Sequence, residues 1–220
     1  MNFDPHDPYP LLEEGAYTYE EAKEHAAAVD RWLGLRASDV EAELEERPQK
    51  PNEQLWAGLA MQTLQTPYLE IRTLLAMLDP KPGQTVVDLG AAYGRIGLVL
   101  GAHYPEVKFL GYELVAGRVY EARRLLGGRK CDQALMIETD LARRDFRPQP
   151  AEFYFLYDFG QRDAIEKILG DLRGLAAEGR AVTVVGRGRA SRDAIERRHP
   201  WLSGVAAPAH FTNYSIYRSR

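Results

Sequence analysis

The sequence predicts an α/β protein: a doubly wound, mostly parallel sheet of seven strands behind an N-terminal helical segment. Three observations carry that prediction. From residue 85 onward, short β-branched or aromatic runs alternate with stretches of helical periodicity, the pattern of strands joined by helical crossovers. The first run, Thr85 to Leu89, ends in a glycine-rich turn, Gly90-Ala-Ala-Tyr-Gly94, that passes straight into an apolar helix. Residues 1–66 carry helix-start signals and no strand signal.

Residues 1–17 hold Pro5, Pro8 and Pro10 among aromatics and read as an extended lead-in. Thr18 and Glu21 form a capping box opening a helix that ends near Gly34. Ser38 and Glu41 repeat that signal for a second, acidic helix stopped by Pro48. Asn52 is placed to cap a third, carrying Leu55, Trp56, Leu59 and Leu64. Thr66 at N-cap with Pro67 in the first helical position starts a fourth, whose Leu69, Leu74, Leu75 and Leu78 suit packing on a sheet. Strands are expected at 85–89, 107–113, 134–138, 152–157 and 181–185. Helices are expected at 94–103, 115–127, from beyond Gly160 through Leu175, and at 191–198. A closing hairpin pairs 202–207 with 211–218 through Pro208-Ala-His210. These elements divide into a helical cap, 1–65, and a ligand-binding domain, 66–220. The cap either covers the ligand corner or serves dimerisation.

A strand turning through glycines into a helix directs backbone N–H groups at the turn with little side chain in the way. Such a corner holds a dinucleotide, a nucleotide phosphate or the tail of S-adenosylmethionine; an incidental packing corner is the alternative. A dinucleotide fingerprint needs Gly-x-Gly-x-x-Gly, and here Ala92 and Arg95 hold the second and third glycine places. A P-loop needs Lys-Ser/Thr after its last glycine, and Arg95-Ile96 follow Gly94.

In open α/β sheets the ligand lies beyond the carboxyl ends of the strands, at the switch point next to the first. Four strand ends carry an acid there: Asp88, Glu113, Asp140 and Asp158. Glu113 is placed to accept two hydrogen bonds from the 2′- and 3′-hydroxyls of a ribose, a role that serves an adenosine in either S-adenosylmethionine or NAD. The bland readings are a loop-bracing Asp88, a turn aspartate at Asp140 and core aromatics along Phe153–Tyr157.

Composition narrows the class. The 220 residues are 45% hydrophobic and 27% charged, enough for one full core, with no apolar run long enough to span a membrane. An acidic, apolar-poor N-terminus and a single cysteine, Cys131, predict a cytoplasmic protein without disulfides. The net charge of −4 hides a split: residues 1–66 carry five basic and 14 acidic side chains, the rest 23 and 18. The arginines are scattered rather than striped, so no nucleic-acid partner is expected. Neither metal-spaced histidines nor a Gly-x-Ser-x-Gly elbow is present. Asp158-Phe159-Gly160 lacks the companion motifs of a kinase.

Asp88-Leu-Gly90-Ala-Ala-Tyr-Gly94 resembles motif I of the class I S-adenosylmethionine-dependent methyltransferases, with Ala92 in place of the middle glycine. Gln65-Thr66-Pro67, Gly94-Arg95-Ile96 and Gly111-Tyr112-Glu113-Leu114 are similar to small bacterial methyltransferases of this class. They are similar also to the mitochondrial lysine methyltransferases acting on the adenine nucleotide translocase and ATP synthase c-subunit. The disruptor-of-silencing-type nucleosomal lysine methyltransferases share the plan. The resemblance covers residues 65 to 186 and implies a cofactor, S-adenosylmethionine, and an acceptor, a protein lysine amine. It implies cofactor contacts from Thr66, Tyr68, Asp88, Gly90, Ala92, Gly94, Glu113, Leu114, Asp140 and Leu141. Tyr157, Asp158 and Phe159 would line the acceptor slot. The alternatives are a small-molecule acceptor or cofactor binding without catalysis.

Overall fold

The computed structural model describes residues 3–13, 15–48, 55–204 and 206–219. The chain opens with α1 (Tyr19–Leu33) and α2 (Ala37–Glu46), then a single turn, α3 (Met61–Leu64), and α4 (Tyr68–Leu78). At α1 the capping box forms: Thr18 Oγ1 accepts from Glu21 N at 3.2 Å and Glu21 Oε2 accepts from Thr18 N at 2.7 Å. Gly34 ends the helix in the left-handed conformation.

Three helix starts differ from expectation. Arg36, not Ser38, occupies the N-cap of α2, and Glu41 faces away from the helix end toward Tyr93 and Arg118. No helix carries Leu55 to Leu59, because Trp56 and Gly58 take φ of 53° and 76°, which no right-handed helix admits; Asn52 lies outside the described residues. At α4 the cap shifts one residue, with Pro67 extended in the N-cap place and Thr66 before it.

The sheet comprises β1 (Thr85–Leu89), β2 (Lys108–Glu113), β3 (Ala134–Glu138), β4 (Phe153–Tyr157), β5 (Thr183–Arg187), β6 (Ala209–His210) and β7 (Tyr214–Arg218). Its order is β3-β2-β1-β4-β5-β7-β6, with β1 to β5 parallel and β7 antiparallel to β5. The crossovers contain α5 (Arg95–His103), α6 (Ala116–Gly128), α7 (Arg162–Ala177) and α8 (Arg189–Arg198). The expected doubly wound sheet of seven strands is therefore present, with its switch point at β1, between β2 and β4.

Alternation along the strands builds two cores. Val86, Phe153, Phe155 and Val185 pack with α1, α4, α5 and α6 on one face, while Val87, Leu89, Tyr154, Leu156 and Val184 pack with α7 and α8 on the other. Strand β5 runs two residues past its expected end because Gly186 is a packing glycine rather than a turn. A Cβ there would meet Ile195 and Tyr217 at 3.1 Å. The closing hairpin turns at 211–213, where Phe211 N donates to Tyr214 O at 2.9 Å, and not at 208–210. A short 3-10 turn (Pro200–Leu202) occupies the start of the expected sixth strand. Among the described residues no helix is long and apolar enough to cross a membrane.

Candidate functional site

The turn between β1 and α5 is held from within the protein. Gly90 and Gly94 take φ of 92° and 74°, and Ala92 is forced to 44°, a conformation that strains a residue with a Cβ. Gly90 N and Ala91 N both donate to Tyr112 O, at 2.9 and 2.8 Å, and Gly94 N donates to Ala91 O at 2.8 Å. Ala92 N donates to Glu113 Oε2 at 2.9 Å, and Tyr93 N to Gln65 Oε1 at 3.3 Å. All five turn N–H groups are thus occupied. The turn offers space to a ligand rather than the ring of donors a phosphate needs.

Glu113 ends β2 buried, and its other oxygen accepts from Val115 N at 2.9 Å. Burial pushes its carboxyl above the ordinary range, an effect opposed by Arg118 and the backbone donors. Asp88, which has no side-chain hydrogen bond among the described residues, is pushed up to about 7 by burial and by the neighbouring Glu113.

Two cavities meet at this corner. A cleft of about 960 Å3 runs along the ends of β1, β2 and β3, with Gly90, Ala92, Glu113, Leu114, Asp140 and Leu141 on one wall. Tyr157, Phe159 and the start of α7 form the opposite wall. A pocket of about 40 Å3 lies deeper, against Thr66, Asp88, Arg95, Phe155 and Arg187. Leu64, Gly90, Ala92 and Tyr157 line both and form the neck between them. The segment before α4 straps this neck: Trp56 Nε1 donates to Asp158 O at 3.0 Å, and Tyr157 Oη donates to Thr63 O at 3.2 Å.

Ten of the thirteen residues singled out in the sequence therefore line the two cavities; Tyr68, Gly94 and Asp158 do not. Tyr68 is buried beneath, donating to Asp30 Oδ1 at 2.9 Å under the Arg95 guanidinium. Gly94 is the N-cap of α5. The Asp158 carboxylate turns to the start of α8, accepting from Ser191 N and Ser191 Oγ at 2.8 Å each. It serves there as a helix cap and lines neither cavity. Asp140 adopts a turn, its Oδ1 accepting from Ala142 N at 2.8 Å, on the exposed lip of the cleft.

Several wall residues escaped the sequence reading as site residues: Trp56, Leu64, Gln65, Arg118 and Arg187. Gln65 had a local signal, its place beside Thr66-Pro67. Arg187 had none, since it depends on Glu70, which it pairs with while buried, and on Tyr19 Oη at 2.9 Å.

No protein-family model and no curated protein matches the chain. Solved structures do. An RNA methyltransferase from Salinibacter ruber in complex with S-adenosyl-L-homocysteine aligns over 70% of this chain and 91% of its own, at 20% identity and a TM-score of 0.52. A precorrin-6y C5,15-methyltransferase from Geobacter metallireducens aligns over 73% and 90%, at 14% identity and 0.51. A SAM-dependent methyltransferase from Aquifex aeolicus aligns over 68% and 88%, at 12% identity and 0.50. At these identities the likeness is one of fold: the chain has the class I methyltransferase fold.

Proposed function

We propose that the chain is an S-adenosylmethionine-dependent methyltransferase whose acceptor is a protein lysine amine. Glu113 carries the cofactor half of this reading. Each of its oxygens has accepted one backbone N–H, which leaves each a lone pair for one hydroxyl of a vicinal diol. A ribose lying there reaches along the cleft toward Asp140, with Leu114 and Leu141 beside it. The occupied turn N–H groups favour an adenosine ligand without phosphates over a dinucleotide. The antiparallel β7 favours it too, since dinucleotide folds extend the sheet with a parallel sixth strand.

The deeper pocket suits the amino-acid end of the cofactor, with Asp88 to receive its ammonium and Thr66 closing above. The cofactor when bound supplies a methyl group on a sulfonium. The chain's task is to align donor and acceptor and to exclude water. Tyr157 and Phe159 give the acceptor side an aromatic wall, and the Arg187 guanidinium sits 4.9 Å from the centre of the Tyr157 ring. An apolar wall backed by a cation favours an amine arriving neutral, the form that attacks. The resemblance of residues 65–186 to lysine methyltransferases supports lysine as the amine. A small-molecule acceptor is the second reading, supported by the precorrin-6y methyltransferase among the proteins that share the fold.

Calorimetric titration with S-adenosylhomocysteine, with NAD as control, tests the cofactor. Glu113→Gln is expected to weaken S-adenosylhomocysteine on the order of 10- to 100-fold, the loss of one charge-assisted hydrogen bond or two. Binding of NAD in its place refutes the assignment. Labelled cofactor incubated with protein and small-molecule extracts then separates the acceptors. Label in protein supports the lysine reading, label in a small product the second, and label in neither indicates binding without transfer.

A further inference from the structure

Beside Glu113 lies a guanidinium that it does not hold. Arg118 is buried on α6 and lines the same cleft, yet its Nη1 stops 3.8 Å from Glu113 Oε1. Its Nε and Nη2 donate instead to Glu41, at 2.9 Å to Oε1 and 2.8 Å to Oε2, in a two-pronged pair. Glu41 belongs to α2, 77 residues earlier in the chain. Helix α2 can ride this close to α6 because position 117 is glycine; a Cβ there would meet Val40 Cγ1 at 2.9 Å. Tyr93 of the glycine-rich turn also donates to Glu41 Oε1, at 2.7 Å.

A carboxylate has about four acceptor sites. Ala92 N and Val115 N take one each on Glu113, Leu114 N adds a weaker backbone contact, and a diol needs two more. A direct bond from Arg118 would take at least one of them. We infer that Glu41 is a positioning residue for cofactor binding: by gripping Arg118 it keeps that guanidinium off Glu113 and leaves the Glu113 lone pairs open to the ribose hydroxyls. At 3.8 Å Arg118 still favours the ionised form of Glu113 through space, so the site gains the charge without the blockade. The inference rests on the assignment of Glu113 to a ribose.

The experiment is titration of S-adenosylhomocysteine into the wild type, Glu41→Gln, Glu41→Gln/Arg118→Met and Glu113→Gln, each accompanied by a thermal melt. Glu41→Gln keeps an oxygen for the Tyr93 hydroxyl but loses the charged, two-pronged grip. Its affinity is expected to fall about tenfold, one charge-assisted hydrogen bond's worth. Adding Arg118→Met is expected to recover part of that loss, because the competitor for Glu113 is gone together with its through-space support of the ionised carboxylate; a purely structural Glu41 predicts a double variant as weak or weaker. The inference is overturned if Glu41→Gln binds like the wild type, or if the folded double variant binds no more tightly than the single. If Glu41→Gln melts early, Glu41→Asp, which keeps the charge but shortens the reach, carries the same comparison. Wild-type affinity in Glu113→Gln, by contrast, brings down the ribose assignment itself.

Discussion

The carboxyl edge of the sheet divides at β1 into two halves that use their charged residues in opposite ways. On the β1–β2–β3 side, Asp88 has no side-chain partner among the described residues, Glu113 has a lone pair to spare on each oxygen, and Asp140 stands on an exposed lip. On the β4–β5 side, Asp158 is absorbed in capping α8, and Arg187 in Glu70, Tyr19 and Tyr157. The first half keeps hydrogen-bonding capacity in reserve for a ligand. The second commits its charged groups to partners within the fold and presents an aromatic wall. In the proposed reaction, with an amine as nucleophile and a cofactor as donor, that division is sufficient: one half holds, the other shapes.

The contrast is most open to breakage at Glu70. Its removal in Glu70→Ala leaves Arg187 buried without its carboxylate, and denaturation is expected to show a loss of about 3–5 kcal/mol. The affinity of the surviving folded protein for S-adenosylhomocysteine should stay at the wild-type level. A drop in affinity as large as that of Glu113→Gln would show the two halves to be one unit.

Asp88 sharpens the other side. Its carboxyl ionises near pH 7 in the folded chain, and an ammonium selects the ionised form. Affinity for S-adenosylhomocysteine should therefore rise with pH up to about pH 7, by at most about tenfold per unit, with a proton released on binding. Asp88→Asn should flatten that slope. For folding the sign is reversed. The unfolded carboxyl ionises first, so Asp88 favours the folded state below about pH 4, and that advantage is lost as pH rises through about 7.

A smaller effect is expected at Asp158. Asp158→Ala removes the cap of α8, and a melt should record a loss of about 1 kcal/mol with cofactor affinity unchanged. A collapse of methyl transfer at unaltered stability would instead put the carboxylate at the reacting centre.

What the sequence revealed was local, and what it hid was distant. The strand over 85–89 was legible to the residue, because a β-branched run sits between Gly83 and Gly90. The place of Glu113 on the cleft was legible because the carboxyl ends of the strands open there on this kind of sheet. The two Ser/Thr-x-x-Glu signals looked alike, yet Thr18–Glu21 caps a helix while Glu41 reaches Arg118 instead. Nothing within a few residues of Ser38 distinguishes them; the partner that decides is 77 positions away from Glu41. The Asp158 carboxylate's partner was hidden for the same reason, since Ser191 lies 33 residues on. Periodicity suggested a helix through Leu55, Leu59 and Leu64, and two left-handed residues, Trp56 and Gly58, cancel it.

The buried pair between Asp30 on α1 and Arg95 at the head of α5, 2.5 Å apart, has a consequence for the order in which the chain is made. Asp30 leaves the ribosome 65 residues ahead of its partner, an interval of about 3–13 seconds at roughly 5–20 residues per second. Throughout that interval the first helix carries, on its core face, an acid without its cationic partner, though Gln62 and Tyr68, which also bond it, emerge sooner. The packed position of α1 is completed only once the glycine-rich turn and Arg95 have emerged.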